Sequence, residues 1–427
     1  MILAEGKLYP SEKSSDILAA LPAALNATLS LPPPDILVVV EALDRFAARI
    51  RGGAYADRLQ SLLDTGIITS EQLVDAAALL ERKSLLCKLE TELGPDFLSA
   101  VQRTPPHASR SLTVKRMPLG VLFHIAAGNA EALPAYSVAE GLLMGNVNLL
   151  KLPAADDGVS VALLRELLLL EPRLAPYVYV FDTPSSDLDT MKKLAYMADA
   201  VVVWGGDEAV QAVRRFAPPS ISIIEWGHRL SFAYATTQAD DEELAGLARH
   251  IFQTNQLYCS SCQGIFVDTA DTATLDAFAA RFLSFLDQAG CEAPPRDIGT
   301  QAQITLQQCR IRLESMFSSA RILRGACGSV TIGLDHQLEL SPMFGNVWIK
   351  PLPRTQLVEA LRPSRGYLQT AGLLCGKEER GELARLLCRA GVNRVTYGDD
   401  MSRLFCGEAH DGRYPLQLYS RIAQTEI

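Results

Sequence analysis

The stretch VVVWGGDEAVQAVRRF, residues 201–216, decides the fold. A β-branched apolar run, the signature of a buried strand, meets Gly205 and Gly206, and a helical pattern begins directly afterwards. Two glycines let backbone approach a pyrophosphate, and the N-terminus of a helix offers it unpaired N–H groups. Asp207 and Glu208 suit the helix dipole but would repel a phosphate if they pointed inward. No G-x-G-x-x-G sequence occurs anywhere in the chain, and a strand–Gly–Gly–helix turn alone also describes an ordinary tight turn.

Working outward, the same alternation repeats. On the N-terminal side, SLTVKRMPLGVLFHIAA (111–127) predicts strands, and AGNAEALPAYSVAEGLLMG (127–145) a loop opening into a helix. NVNLLKLP (146–153) reads as a strand, DGVSVALLRELLLLEP (157–172) as a helix, and YVYVFDTP (177–184) as a strand. On the C-terminal side SISIIEW (220–226) is another strand. Alternation of this kind predicts an α/β fold with a parallel sheet flanked by helices, a nucleotide-binding architecture. Beyond residue 229 a second α/β unit follows: DEELAGLARHIFQ and TLDAFAARFLSFLDQAG are helical, and GIFVD, RILRGA, GSVTIGL and GNVWIKPL strand-like. Ahead of residue 111 the chain reads as mainly helical, with Pro punctuation and Asp35 as an N-cap. The expected organisation is a helical N-terminal region, 1–110, packed on the coenzyme domain; an NAD(P)-binding domain, 111–228; a catalytic domain, 229–390; and a C-terminal tail, 391–427.

Composition excludes several classes. The chain has 427 residues, 48% hydrophobic and 21% charged, as a folded protein with substantial cores does. A net charge of −9 argues against a nucleic-acid surface. The first residues lack the basic and apolar regions of a signal peptide, and no run of about 18 apolar residues suggests a membrane span. Nine scattered cysteines, an odd number, suit reduced thiols in a cytoplasm better than a secreted disulfide framework.

Two of those cysteines stand as C-x-x-C in TNQLYCSSCQGIFVD, residues 254–268. A closed zinc site needs four ligands, and no second C-x-x-C or H-x-x-x-H occurs; the nearest histidine is His250. A metal is therefore not expected. A redox pair and a nucleophilic thiol stay open on the residues alone. Around this segment a loop amide (Asn129), a strand-end cation (Lys151), a strand-end carboxylate (Glu225) and a thiol (Cys259) all fall at strand ends or loops, where open α/β sheets bind ligands.

The order and spacing of these residues resemble the aldehyde dehydrogenase superfamily. Cys259 follows Glu225 by 34 residues and Asn129 by 130. EWGHR, with Glu225 and Gly227, stands where that superfamily has an E-L-G-G-K-like turn, and PMFGNVW (342–348) is similar to its E-I-F-G-P-V segment, keeping Phe344 and Gly345. NQLYCSSCQ, GLLMGNVNLLKLP and HDGRYPLQLYSR are closest to the LuxC-type acyl-CoA reductases, which make fatty aldehyde; the resemblance covers residues 110 to 427. It implies an aldehyde dehydrogenase-like α/β fold and a cytoplasmic, homo-oligomeric enzyme. The implied activity is NADPH-dependent reduction of an acyl-CoA or acyl-carrier-protein thioester to an aldehyde through an acyl-cysteine.

Residue by residue, the resemblance makes Cys259 the nucleophile and Cys262 a buried neighbour, with a regulatory disulfide as the other reading. Asn129 becomes an oxyanion donor together with the Cys259 N–H. Glu225 becomes a base, a proton shuttle or a promoter of hydrolysis. Lys151, Gly205, Gly206, Ala154 and Phe344 fall to the coenzyme. Ala154 stands three residues after Lys151, where NAD-preferring members carry a Glu, so NADPH is expected over NADH; Asp156 and Asp157 just beyond keep NADH as the alternative. Pro342 replaces the carboxylate that holds the nicotinamide ribose in many members. An acyl-transfer or acyl-protein synthetase partner is also implied. Two other functions compete: an NAD(P)-dependent aldehyde dehydrogenase making acid, and a non-catalytic acyl-transfer or assembly partner.

Overall fold

The computed structural model describes residues 1–57, 60, 70–107, 110–126, 133–153, 156, 158–294, 296–314 and 320–426. Asn129, Ala154 and Asp157 lie outside the described residues. The chain divides into two compact units, Met1–Gly227 with Leu404–Ile427, and His228–Arg403.

The first unit carries strands β1 (Ile2–Ala4), β2 (Lys7–Tyr9), β3 (Val101–Arg103), β4 (Leu112–Pro118), β5 (Val121–Ile125), β6 (Val147–Lys151), β7 (Val178–Phe181), β8 (Ala200–Trp204) and β9 (Ser222–Trp226). Its main sheet has the order β2-β1-β7-β6-β5-β8-β9. Strands β7, β6, β5, β8 and β9 are parallel, and the chain reverses its direction of travel between β5 and β8. Connections leave those two strands toward opposite sides, and the crevice at their carboxyl ends is where such sheets take ligands. Strands β5 to β8 are buried along their whole length, as their continuous apolar runs require.

The N-terminal region is not purely helical. Helices Ser14–Leu29, Ile36–Arg51, Ser70–Ala78 and Arg82–Leu93 are present, and Asp35 does cap the second by accepting from Leu37 N at 2.8 Å. Ahead of them, β1 and β2 form a hairpin that extends the sheet antiparallel from β7. Three-residue strands are too short to show a period, so their apolar residues do not announce them.

A polar network lies inside the first unit. His124 Nε2 meets Asn148 Oδ1 at 3.0 Å, and its Nδ1 meets Ser137 Oγ at 2.8 Å. Asn148 uses its NH2 on the carbonyls of Asn146 and Tyr177, so its oxygen is left to accept, and the imidazole proton sits on Nε2. Ser137 Oγ also accepts from Trp204 Nε1 at 3.1 Å. Burial holds His124 neutral, its pKa lowered to about 4.

The second unit carries β10 (Leu230–Ala235), β11 (Cys262–Val267), β12 (Arg321–Arg324), β13 (Ser329–Ile332), β14 (Asn346–Pro351), β15 (Leu368–Leu374) and β16 (Arg394–Tyr397), in the sheet order β12-β13-β14-β11-β10-β15-β16. Only β12 is antiparallel. Because β16 pairs with β15, residues after 390 continue this unit instead of starting a tail. The segment from Leu404 onward packs in the first unit, where β17 (Ser420–Thr425) joins β4 and β3 in a three-stranded antiparallel sheet. Among the described residues no helix is long and apolar enough to cross a membrane.

Candidate active site

Within the second unit, Cys259 sits in a turn between helix Asp241–Thr254 and β11. The helix is fixed at its start by a capping box of Asp240 and Glu243. It ends in two non-glycine residues with left-handed backbone, Asn255 (φ 48°) and Gln256 (φ 62°). Such conformations cost free energy and persist only where surrounding contacts impose them. The contacts are specific. Gln256 Nε2 donates to Ser341 Oγ at 2.9 Å and to the carbonyls of Cys262 and Asn346 at 3.0 and 3.3 Å, while its Oε1 accepts from Gly345 N at 3.0 Å. Gln263 returns the tie, donating to Gln256 O at 3.0 Å and accepting from Ser341 Oγ at 2.9 Å.

Those bonds join the cysteine turn to the loop carrying Phe344. Met343, Phe344 and Gly345 all have positive φ, at 65°, 49° and 76°. Phe344 N donates to Asn255 O at 3.2 Å, so two strained segments brace one another. Phe344 thus lies on the loop held against the turn of Cys259. Gln256 and Gln263 went unassigned in the sequence, although both belong to the NQLYCSSCQ stretch.

The two thiols differ sharply. Cys259 is exposed, whereas Cys262 is fully buried as the first residue of β11. The Cys262 thiol donates to Gly264 O at 3.2 Å, and burial pushes its pKa up to about 12. It is a protonated core side chain near neutral pH, and none of the nine cysteines forms a disulfide. The Cys259 carbonyl accepts from Ser231 Oγ at 2.6 Å, and Ser231 Oγ accepts from Thr370 N at 3.1 Å, pinning the turn to β10 and β15. The backbone is therefore anchored while the residue stays exposed. Cys259 precedes its strand; Lys151 and Glu225 stand at the carboxyl ends of theirs, β6 and β9.

In the first unit, Lys151 is 4% exposed. Its ammonium donates to Ser185 Oγ at 2.7 Å and meets no carboxylate among the described residues. Burial lowers its pKa. A buried cation without a counter-ion fits an anionic ligand such as a phosphate. Gly205 follows β8 at the switch point, and a Cβ there would lie 2.9 Å from Ala209 Cβ. At Gly206, the N-cap of helix Asp207–Phe216, an added Cβ would meet nothing within 4 Å. Packing does not demand that glycine, and it leaves bare backbone at a helix N-terminus. These residues fit a phosphorylated dinucleotide. Asp156 accepts from Gly158 N at 2.8 Å in the turn that opens the next helix.

Glu225 is engaged. Both of its oxygens accept from Arg214, at 2.6 and 2.8 Å, and its backbone carbonyl accepts from Arg413 at 2.7 Å. Arg413 also lies over the Trp226 ring, and His410 packs against Trp204 and Trp226 at 5.1 and 4.9 Å between ring centroids. The HDGRYP segment thus braces the ends of β8 and β9.

The two parallel-rich α/β sheets, in this order, make an aldehyde dehydrogenase-like fold. A point mutant of betaine aldehyde dehydrogenase from Staphylococcus aureus, solved in complex with NAD+, superposes with a TM-score of 0.73 at 14% identity, over 97% of this chain and 88% of that one. The chain belongs to the acyl-CoA reductase (LuxC) family, whose model matches residues 31–422. It is 26% identical over 336 residues to a long-chain acyl-protein thioester reductase of Aliivibrio fischeri, covering 73% of this chain and 65% of that protein. It is 25% identical over 321 residues to long-chain acyl-protein thioester reductase 2 of Photobacterium leiognathi, covering 71% and 63%.

Proposed function

We propose that this protein reduces a long-chain acyl thioester to the aldehyde, using NADPH and an acyl-enzyme on Cys259. The observation that carries the proposal is the exposed thiol on an anchored turn beside a fully buried second thiol. Relatives named for long-chain acyl-protein thioester reduction support the substrate class.

The Cys259 sulfur attacks the thioester carbon; a new C–S bond forms, the old one breaks, and the departing sulfur takes a proton. Negative charge gathers on the acyl oxygen during attack. The Cys259 N–H and the Asn129 amide are assigned to receive it, and losing one such donor costs about a hundredfold or more in rate. When held by this chain, a reduced nicotinamide would supply the hydride that the acyl carbon takes. Cleavage of the enzyme C–S bond then releases aldehyde, and the Cys259 sulfur takes a proton to return as the thiol. Both Glu225 oxygens accept from Arg214, and this carboxylate is assigned to the proton transfer that accompanies aldehyde release. Lys151 and the bare backbone at Gly205 and Gly206 are assigned to the coenzyme phosphates, Phe344 to the nicotinamide side, and Ala154, a residue without a carboxylate, to the 2′-phosphate. The reading includes a homo-oligomer and an acyl-transferring partner.

The test is incubation with tetradecanoyl-CoA and a tetradecanoyl-protein thioester plus NADPH, detecting aldehyde directly. Tetradecanal from either carrier supports the proposal. Conversion of tetradecanal to acid with no thioester reduction would replace it with the aldehyde-oxidising reading.

A further inference from the structure

A cavity of about 330 Å³ lies inside the first unit, beneath the N-terminal helices. That is within the range of about 300–1,000 Å³ typical of small-molecule sites. Its walls are aliphatic and aromatic: Leu43 and Phe46 from helix Ile36–Arg51, Ala77, Ala139, Leu164 and Trp204. Leu404 and Phe405 also line it and remain 57% and 50% exposed, which places its mouth at the start of the C-terminal segment.

The ammonium on its wall is already matched, and a further carboxylate, Glu408, lines it. The Lys88 ammonium forms ion pairs with Glu92 at 2.6 Å and Glu140 at 2.9 Å, and all three residues are buried. One ammonium shared by two carboxylates leaves no positive charge for an anionic headgroup and would repel one. Whatever enters must therefore be uncharged along its inserted length. A flexible apolar tail meets that condition on a wall that is mainly apolar.

We infer that this cavity binds a long saturated acyl chain, inserted tail first with its polar end at the Leu404–Phe405 mouth. The inference deepens the proposed function and rests on it for the chain's chemistry; the chain comes either on the thioester substrate or as a free fatty acid.

The experiment measures displacement of dansylaminoundecanoate by tetradecanoate and by butanoate, on the wild type and on Ala77→Leu and Ala139→Leu. A leucine side chain at either position occupies part of the cavity, so about tenfold or more weaker binding is expected in the variants. Tetradecanoate should displace the probe and butanoate should not. On the unaltered chain, bromododecanoate should quench Trp204 fluorescence, and Trp204→Phe should lose that quenching, which keeps the test independent of the variants' folding. If the variants also lose their preference for tetradecanoyl over butanoyl thioester, the chain is the substrate's; if that preference stays while free-acid binding falls, the ligand is a free fatty acid. Absent quenching, or equal displacement by butanoate, overturns the inference while butanoyl thioester reduction stands. Probe binding with no thioester reduction would leave the cavity assigned and remove the proposed function.

Discussion

The Gln256 side-chain carbonyl accepts a hydrogen bond from the Gly345 N–H at 3.0 Å, across 89 residues of sequence. One buried amide thereby fixes both the turn that presents Cys259 and the loop that carries Phe344. Gln256→Leu keeps the volume but strands Gly345 N and the Cys262 and Asn346 carbonyls. An unsatisfied buried group costs about 1–3 kcal/mol. The expected outcome is a thermal midpoint lower by several degrees together with a reduced kcat, read by calorimetry and steady-state kinetics. A variant with unchanged stability and kcat would show that the clamp is idle.

Cys259→Ala should abolish both acylation and reduction, whereas Cys262→Ala should keep at least about a tenth of the activity, since removing one buried sulfur is a core truncation of modest cost. Iodoacetamide at neutral pH should label Cys259 and spare Cys262, because the buried thiol titrates only near 12. Peptide mapping by mass spectrometry distinguishes the two, and reversed labelling would refute the assignment.

Coenzyme choice turns on Lys151. Lys151→Met should lower kcat/KM with NADPH by about tenfold or more, the loss expected of one charge-assisted contact, and with NADH by less. Ala154→Glu should also weaken NADPH use more than NADH use. A wild type that prefers NADH tenfold would contradict this reading and turn attention to Asp156 and Asp157.

Acid should destabilise the fold through two buried histidines. Burial lowers the pKa of both His124 and His250 to about 4, against an ordinary 6.5. Between those values the unfolded chain binds protons that the folded chain refuses, so stability falls as pH drops from about 6.5 toward about 4, by up to about 3 kcal/mol per imidazole. Urea midpoints across that window measure the slope, and His124→Gln should flatten it. A midpoint that does not move through the window would show that these imidazoles are not held neutral.

Local signals were legible and non-local ones were not. Continuous apolar runs such as VNLLK and AVVVW announced β6 and β8, and Asp35 announced a helix start, because each depends on neighbours within a few residues. Strands β1 and β2 carry no such signal: β2 pairs with β1, and β1 joins the sheet only through β7, far away in the sequence. The return of residues 404–427 to the first unit rests on contacts such as Leu416 N with Glu92 at 2.8 Å, invisible in the order of residues. Candidate site residues stood out where chemistry is rare, as at Cys259 and Lys151. Gln256 did not, because a buried amide becomes informative only once its partners at 341, 345 and 346 are placed beside it. The short distance between Cys87 and Cys406 sulfurs, 2.9 Å, is likewise a product of the fold alone.

The central claim is an acyl-enzyme on Cys259 that is reduced to aldehyde. Intact-mass and peptide-level mass spectrometry after mixing the protein with tetradecanoyl-CoA, before and after NADPH, tests it most directly. A tetradecanoyl adduct confined to the peptide containing Cys259, absent in Cys259→Ala and discharged as tetradecanal on adding NADPH, is the predicted result. No adduct, or an adduct on another residue with aldehyde still formed, would contradict it.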